Sequence, residues 1–185
     1  MLPNRQRASG RAQRGLTIIE LATVLAIIGI LAAVAVPAMR AAVLTSQLRT
    51  VANSLLGSTL LARSEAIKRN SVAVVCRSTN GTTCAGGGDW IDGWIVGCPT
   101  NDNVNCVTGG VNLLVLQRET GFPNSLRVTE AAATGTLTFQ PIGIGSTPAA
   151  FTVCRFNPVA GQERMVIVDV TGRASVQKTT NGVCP

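Results

Sequence analysis

The sequence contains no histidine and no tyrosine, and it has only two tryptophans and four phenylalanines among its 185 residues. Without histidine or tyrosine, the common general acids and bases reduce to carboxylates and lysine, and no paired-acid motif stands out. None of the cysteine spacings is C-x-x-C, so the usual zinc patterns are missing as well. We therefore expect no enzyme, no metal site and no cofactor.

Charge is missing from one long stretch of the chain. No charged side chain occurs between Leu21 and Met39, and an apolar helix of about 20 residues crosses a bilayer core of roughly 30 Å. A secretory signal peptide would have a shorter apolar region, followed by a cleavage site of small residues. The sequence therefore predicts a membrane span that is retained as an anchor.

The segment before the span is basic. It contains Arg5, Arg7, Arg11 and Arg14 and no acidic residue. Short loops rich in arginine stay in the cytoplasm, so a single pass with a cytoplasmic N-terminus is expected. Everything after Pro37 would then lie on the far side of the membrane.

Glu20 is a lone carboxylate near the start of the span. An ionisable group at that depth costs about 2.5–3.5 kcal/mol on insertion scales unless it finds a partner. It is either a tolerated interfacial residue or a group that meets a counter-charge.

These residues resemble the N-terminal motif of the type IV pilin superfamily, whose members have a short basic leader ending in glycine, then an apolar helix with glutamate at its fifth position and often a proline near its twenty-second. Gly15, Glu20 and Pro37 match this pattern. The resemblance implies that a prepilin peptidase removes residues 1–15 and N-methylates Leu16, although most members have phenylalanine at that position. It also implies a bacterial inner-membrane protein in which Glu20 pairs with the amine of Leu16, on its own or a neighbouring subunit, during assembly.

The mature chain would be only mildly basic. Removal of the leader leaves twelve basic residues against nine acidic ones, because four of the sixteen basic residues precede the cut. A strongly basic chain would suggest nucleic acid or an acidic membrane as a partner. The charge of the mature chain therefore gives little support for either partner.

Beyond the membrane segment, 16–39, apolar residues continue at steps of three and four over 40–69, including Leu44, Leu48 and Leu55. This pattern predicts one helix that runs to about Lys68 and packs one face on a sheet. Pro37 removes a backbone donor and should bend or loosen that helix.

The remaining segment, 70–185, has short apolar and β-branched runs separated by Gly, Asn, Pro and Thr, a pattern typical of strands. We expect strands near Val72–Cys76, Trp94–Cys98, Asn112–Gln117, Leu126–Thr129, Thr136–Phe139, Ala150–Phe156, Arg164–Val170 and Arg173–Lys178. Thr171-Gly172 should form a hairpin turn between the last two. The predicted fold is α+β and type IV pilin-like, with a long N-terminal helix on an antiparallel β-sheet head that has disulfide-closed loops.

All six cysteines lie in this exported head, where an even number indicates disulfides. Six cysteines allow fifteen pairings. Cys76–Cys84 and Cys98–Cys106 each flank a turn-rich loop, so each pair is expected to close its own loop. Cys154–Cys184 would then hold the end of the chain.

The two tryptophans, Trp90 and Trp94, lie four residues apart around a glycine turn. Stacking on a nucleobase is one reading. Ile95 and Val96 follow directly and favour a half-buried strand, so we expect both tryptophans to be core anchors.

A second resemblance covers the head. DWIDGWIV (Asp89–Val96) and TGR (Thr171–Arg173) are similar to the minor pilins FimT and FimU and to the H pseudopilin of type II secretion, the GspH/FimT family. FimT-like members resemble DNA receptors with a G-R-x-R element. Here that element reads Gly172-Arg173-Ala174-Ser175 and lacks its second arginine.

Four basic residues of the C-terminal third are candidates for a phosphate-binding strip, provided that they share one exposed face: Arg155, Arg164, Arg173 and Lys178. The alternative is a set of scattered, solvated charges. Any DNA binding by so few contacts would be weak and independent of sequence.

The sequence therefore predicts a structural minor pilin for type IV pilus assembly, acting in the initiating or tip complex. Its partners would be the prepilin peptidase, other minor and major pilins or pseudopilins, and the inner membrane. The first alternative is an H-type pseudopilin of the type II secretion system. The second is a DNA-binding minor pilin for natural transformation.

Overall fold

The computed structural model describes Gly15 and residues 17–102, 104–107, 109–155 and 161–179. The chain divides into two compact units, Met1–Ala42 and Val43–Pro185. One helix, α1 (Ile18–Arg69), contains Pro37 in its interior and enters both units. The predicted single long helix is thus present.

The part of α1 in the second unit is amphipathic. Its buried residues recur at intervals of three or four, which place them on one helix face: Leu48, Val51, Ala52, Leu55, Ser58, Thr59, Ala62 and Ala66. The helix ends at Arg69 because Asn70 adopts a positive φ of 48°. Ser71 N–H then donates to Ala66 O (3.1 Å) and Asn70 N–H to Ile67 O (3.3 Å), the two bonds of a Schellman motif.

Within the described residues, eight strands follow the helix: β1 (Ala73–Arg77), β2 (Trp94–Thr100), β3 (Asn112–Glu119), β4 (Leu126–Glu130), β5 (Thr136–Phe139), β6 (Ala149–Arg155), β7 (Glu163–Val168) and β8 (Ala174–Thr179). All eight predicted strands are present. The predicted strand from Arg164 extends too far, because Asp169 leaves the ladder to form a turn. Phe156, at the predicted end of β6, lies outside the described residues.

The strands form two antiparallel sheets, where the sequence suggested a single one. Their orders are β3-β2-β1-β5 and β4-β6-β7-β8. Although β4 and β5 are consecutive, they lie in different sheets, and the turn between them has positive φ at Ala133 and Gly135. The Glu130 carboxylate fixes this turn by accepting a hydrogen bond from Gly135 N–H (2.8 Å).

The core of the head gathers buried apolar residues from α1 and from both sheets. Trp94 is fully buried, and its indole N–H donates to Ser58 Oγ of α1 (2.9 Å). Trp90 is 2% exposed, and its indole N–H donates to Glu130 Oε2 (3.0 Å). Both tryptophans are therefore core anchors, as predicted, and each has a polar partner for its one donor.

Two disulfides, Cys76–Cys84 and Cys98–Cys106, close the predicted loops, with Cα–Cα distances of 5.5 and 5.4 Å. Each loop-closing disulfide constrains the unfolded chain and contributes roughly 2–3 kcal/mol on the chain-entropy model. Cys154 lies in β6, but Cys184 is outside the described residues, so the pairing of these two stays a prediction.

The predicted hairpin between β7 and β8 is present. Gly172 N–H donates to Asp169 O (2.9 Å), and Gly172 has a φ of 70°, which favours glycine. The Asp169 carboxylate accepts hydrogen bonds from the Thr171 hydroxyl and from the backbone N–H groups of Thr171 and Arg173. The Thr171 hydroxyl is the largest cause that lowers the pKa of Asp169 below its ordinary value of 3.8.

The bond between Trp94 and Ser58 gives a stability prediction. Ser58→Ala leaves a buried indole N–H without an acceptor, so it should lower the free energy of unfolding of the head by about 1–3 kcal/mol. Urea denaturation measures this change. Ser64→Ala, on an exposed position of the same helix, is the control and should stay within about 0.5 kcal/mol of the wild type. Equal effects of the two substitutions would contradict the role of the bond.

The hairpin gives a second prediction. Thr171→Val removes the hydroxyl donor, so the pKa of Asp169 should rise toward 3.8. Because the folded pKa lies below that value, the contact stabilises the hairpin fully above pH 3.8, and the contribution is lost as the pH falls through the folded pKa. An NMR titration of the Asp169 carboxyl carbon measures the shift. Ser175→Ala, at an exposed position of β8, should leave the pKa unchanged; a shift of the same size there would refute the assignment.

Candidate functional site

The start of α1 is built around Thr17 and Glu20. The Thr17 hydroxyl oxygen accepts a hydrogen bond from Glu20 N–H (3.2 Å), and Thr17 O accepts one from Leu21 N–H (3.1 Å). Thr17 therefore caps the helix, and Glu20 occupies the third helical position, where the helix dipole favours a negative charge. Thr17-x-x-Glu20 matches the capping-box pattern, a signal that would have identified Thr17 from the sequence.

The predicted cleavage site lies just before this cap. Gly15 is exposed, while Leu16 and the leader residues 1–14 lie outside the described residues. The proposed pairing of Glu20 with the amine of Leu16 is therefore not described by the structure. The Glu20 side chain itself is exposed.

The first part of α1 presents apolar side chains around its whole circumference. The exposed large residues are Ile18, Ile19, Leu21, Val24, Leu25, Ile27, Ile28, Ile30, Leu31, Val34, Val36 and Met39. Monomeric soluble proteins rarely leave so large an apolar surface in water. Among the described residues α1 is the one helix long and apolar enough to cross a membrane. Lipid or neighbouring apolar helices are the surroundings that suit this surface.

Pro37 lies within α1 and does not end it. Since proline has no backbone N–H, the carbonyl of Ala33 lacks its usual donor four residues later. The helix is thus intact at Pro37 but has one fewer internal hydrogen bond there. This is the position at which the helix would bend most easily.

The four basic residues of the predicted phosphate-binding strip do not share one exposed face. Arg155, Arg173 and Lys178 are exposed, whereas Arg164 is only 7% exposed and donates to the carbonyl of Glu163. Arg164 pairs with Lys178 across β7 and β8. Arg173 precedes β8, about 16 Å along the strand from Lys178 at 3.3 Å per residue. Arg164 is therefore buried and Arg173 is distant from the others, while Lys178 lies beside Arg164 on the neighbouring strand.

The alternation of side chains along β7 explains why Arg164 is buried. Arg164, Val166 and Val168 alternate along β7 and so share the face that is packed in the core. Glu163, next to Arg164, is 1% exposed, and its carboxylate accepts from the Thr179 hydroxyl (2.8 Å). The same alternation can be recognised in the sequence. Because it begins with the charged Arg164, burial of that residue was not predicted.

Comparison with known proteins places both parts of the chain. Residues 10–36 match the model of the prokaryotic N-terminal methylation motif, and residues 51–172 match that of the type II transport protein GspH. A search of curated protein sequences finds no match.

Among solved structures, the fold is similar to that of the type IV minor pilin FimU of Pseudomonas aeruginosa. One crystal form gives a TM-score of 0.55 and 21% identity, over 71% of this chain and 89% of FimU. The minor pseudopilin EpsH of the Vibrio cholerae type II secretion system has a TM-score of 0.50 and 13% identity, over 76% of this chain and 99% of EpsH. These identities support a common fold. Because the GspH model covers most of the chain and the methylation motif precedes it, this protein belongs to the GspH family of minor pilins and pseudopilins.

Proposed function

We propose that this chain is a structural minor pilin of a type IV pilus, held in the inner membrane and then incorporated into the initiating or tip complex. The observation that carries the proposal is the contrast within α1. Its first part exposes apolar side chains all round, whereas its second part forms one wall of the core of the head. A subunit that moves from lipid into a filament core needs a helix of this kind.

Assembly requires more than an apolar helix, because lipid tails are as apolar as the helices of other subunits. Specificity therefore depends on polar groups and close packing. Glu20 supplies a charge at the start of the helix. Apart from its two chain neighbours and the adjoining helix backbone, Gly29 has no described atom within 4 Å of the place of a Cβ, so a neighbouring helix would find room there. We propose that Glu20 pairs with the methylated amine of Leu16, on its own or a neighbouring subunit.

The proposed topology follows from charge and redox chemistry. The arginines of residues 1–15 favour a cytoplasmic N-terminus, and disulfides persist in the oxidising periplasm. The head contains the two loop-closing disulfides, which agrees with a periplasmic head. A structural role without catalysis fits this arrangement.

The second candidate is an H-type pseudopilin of the type II secretion system. The match of residues 51–172 to the GspH model and the similarity to EpsH favour it. The two candidates share processing, anchoring and helix packing and differ in the partner subunits. Identification of the filament that contains the chain separates them.

Processing is the first test. We expect the mature protein to begin at N-methylated Leu16, and Gly15→Leu to block cleavage because a bulky side chain replaces hydrogen at the cut. Mass spectrometry of the membrane-extracted protein measures both. Ala12→Leu, within the same leader, is the control and should be processed normally. A wild-type protein that retains Met1 would contradict the proposal.

Assembly is the second test. Glu20→Ala should leave membrane insertion intact, because removing a charge makes insertion easier. It should lower incorporation into sheared filaments by about tenfold, which corresponds to the loss of about 1.4 kcal/mol of pairing. Quantitative immunoblots of membrane and filament fractions measure the two effects. Thr23→Ala, one turn further along α1, should behave as the wild type. Incorporation of the Glu20 variant at the wild-type level would eliminate the pairing.

A further inference from the structure

The head has an apolar surface near the C-terminal end of α1. Ile142 and Ile144 lie in the loop between β5 and β6 and are 78% and 62% exposed. Val170, at the tip of the β7–β8 hairpin, is 56% exposed, and Ile67, in the last turn of α1, is 49% exposed. We call these four residues the distal patch.

Hydrogen bonds and close contacts hold the three segments of the patch together. The backbone N–H groups of Gly145 and Ser146 both donate to Val170 O, at 3.0 and 3.1 Å, which joins the loop to the hairpin tip. A Cβ built on Gly143 would lie 3.6 Å from Ile67 Cδ1, which places the same loop against α1. The patch is therefore one continuous surface made from a helix, a loop and a hairpin.

Arg63 lies at the centre of these contacts. A Cβ built on Gly172 would lie 3.3 Å from Arg63 Cδ, and one built on Gly143 would lie 3.9 Å from its Nη2. Arg63 Nε is buried and has no hydrogen-bond partner. The hydroxyl of Ser146, which is 4% exposed, is also without a partner. The residue Arg63 as a whole is only half-buried, so the remainder of its guanidinium group is left to meet an acceptor from another molecule.

The carboxylates of Glu65, on the same helix, and of Asp169, in the β7–β8 hairpin, already have partners. Glu65 binds Lys68 and Arg69, and the hydrogen bond from Arg69 lowers its pKa. Asp169 accepts from Thr171 and from Arg173 N–H. In the part of the chain that the structure describes, no carboxylate lies within ion-pair distance of Arg63. Its counter-charge would have to come from another molecule.

We propose that the distal patch docks the head of another pilin subunit, one whose surface offers apolar side chains around a carboxylate that pairs with Arg63. This inference rests on the proposed function, because it places the contact within a filament or its initiating complex. Exposed apolar residues around a partly buried arginine are the composition of an interface hot spot.

The partner is a different subunit and not a second copy of this chain bound through the same patch. A symmetric contact between two distal patches would bring the same surfaces together and place Arg63 against Arg63. Like charges facing each other in a desolvated contact disfavour that pairing. A partner with an acidic centre avoids this repulsion and satisfies Arg63.

The test uses the full chain in native membranes that contain the other pilins. A photoreactive phenylalanine analogue replaces Ile142, and in the control it replaces Val111, which is 89% exposed and lies outside the patch. After illumination, we expect an adduct of the Ile142 protein whose peptides identify another pilin subunit, in at least tenfold excess over the control. The cross-linked peptide should contain or adjoin an aspartate or glutamate.

Two variants then separate the patch from a general loss of folding. Arg63→Glu and Ile144→Asp should each reduce the adduct at least tenfold, because each places a negative charge in the contact. Arg49→Glu, on an exposed position of the same helix, and Val104→Asp should leave it unchanged. Membrane levels of all four variants should equal those of the wild type.

Several outcomes would overturn the proposal: no adduct from Ile142, an adduct with a second copy of this chain, an adduct with lipid, or equal loss with the control variants. If the wild-type chain is found in filaments while one of these outcomes occurs, the docking role of the distal patch is wrong and the proposed function stands. If the wild-type chain is absent from every filament fraction, the proposed function fails first.

Discussion

A single helix has to satisfy two different environments, and the rest of the protein depends on how it does so. The first part of α1 exposes its apolar side chains on every side, while the second part buries one stripe from Leu48 to Ala66 in the core of the head. The exposed apolar surface of the first part needs lipid or other apolar helices around it. The apolar stripe of the second part is covered by the head itself, so one helix both anchors the chain and organises its fold.

The head is built onto that stripe by a few specific contacts. Trp94 joins β2 to α1 through Ser58, and Glu130 joins Trp90, in the short 3-10 helix Trp90–Asp92, to the β4–β5 turn. These bonds satisfy the polar atoms of large side chains that would otherwise be buried without partners. The two disulfides close loops that have little apolar surface of their own, and so they limit the freedom of segments that packing alone does not fix.

Much of this structure could be predicted from local signals. The absence of charge from Leu21 to Met39, the period of three and four residues after it, and the short β-branched runs identified α1 and all eight strands. Thr17 was missed although its capping pattern is local. The division into two sheets could not be predicted from local signals, because it depends on which strands pair at long range.

The placement of functional side chains was harder to predict than the elements that carry them. Arg164 was expected on an exposed strip, but the register of β7 turns it toward the core together with Val166. The distal patch joins residues 67, 142, 144 and 170, which are separated in the sequence by up to about a hundred positions and meet only after folding. Spacing in the sequence carries no information on such surfaces.

The most direct test of the central claim measures the surroundings of α1 along its length. A nitroxide side chain is placed at Val24, at Leu31 or at Arg49 of the full chain in lipid vesicles, and its collisions with oxygen and with a water-soluble nickel chelate are measured by electron paramagnetic resonance. The account predicts high access to oxygen and low access to nickel at Val24 and Leu31, with the reverse at Arg49, because apolar lipid dissolves oxygen and excludes the chelate. Free access of the nickel chelate at all three positions would contradict it.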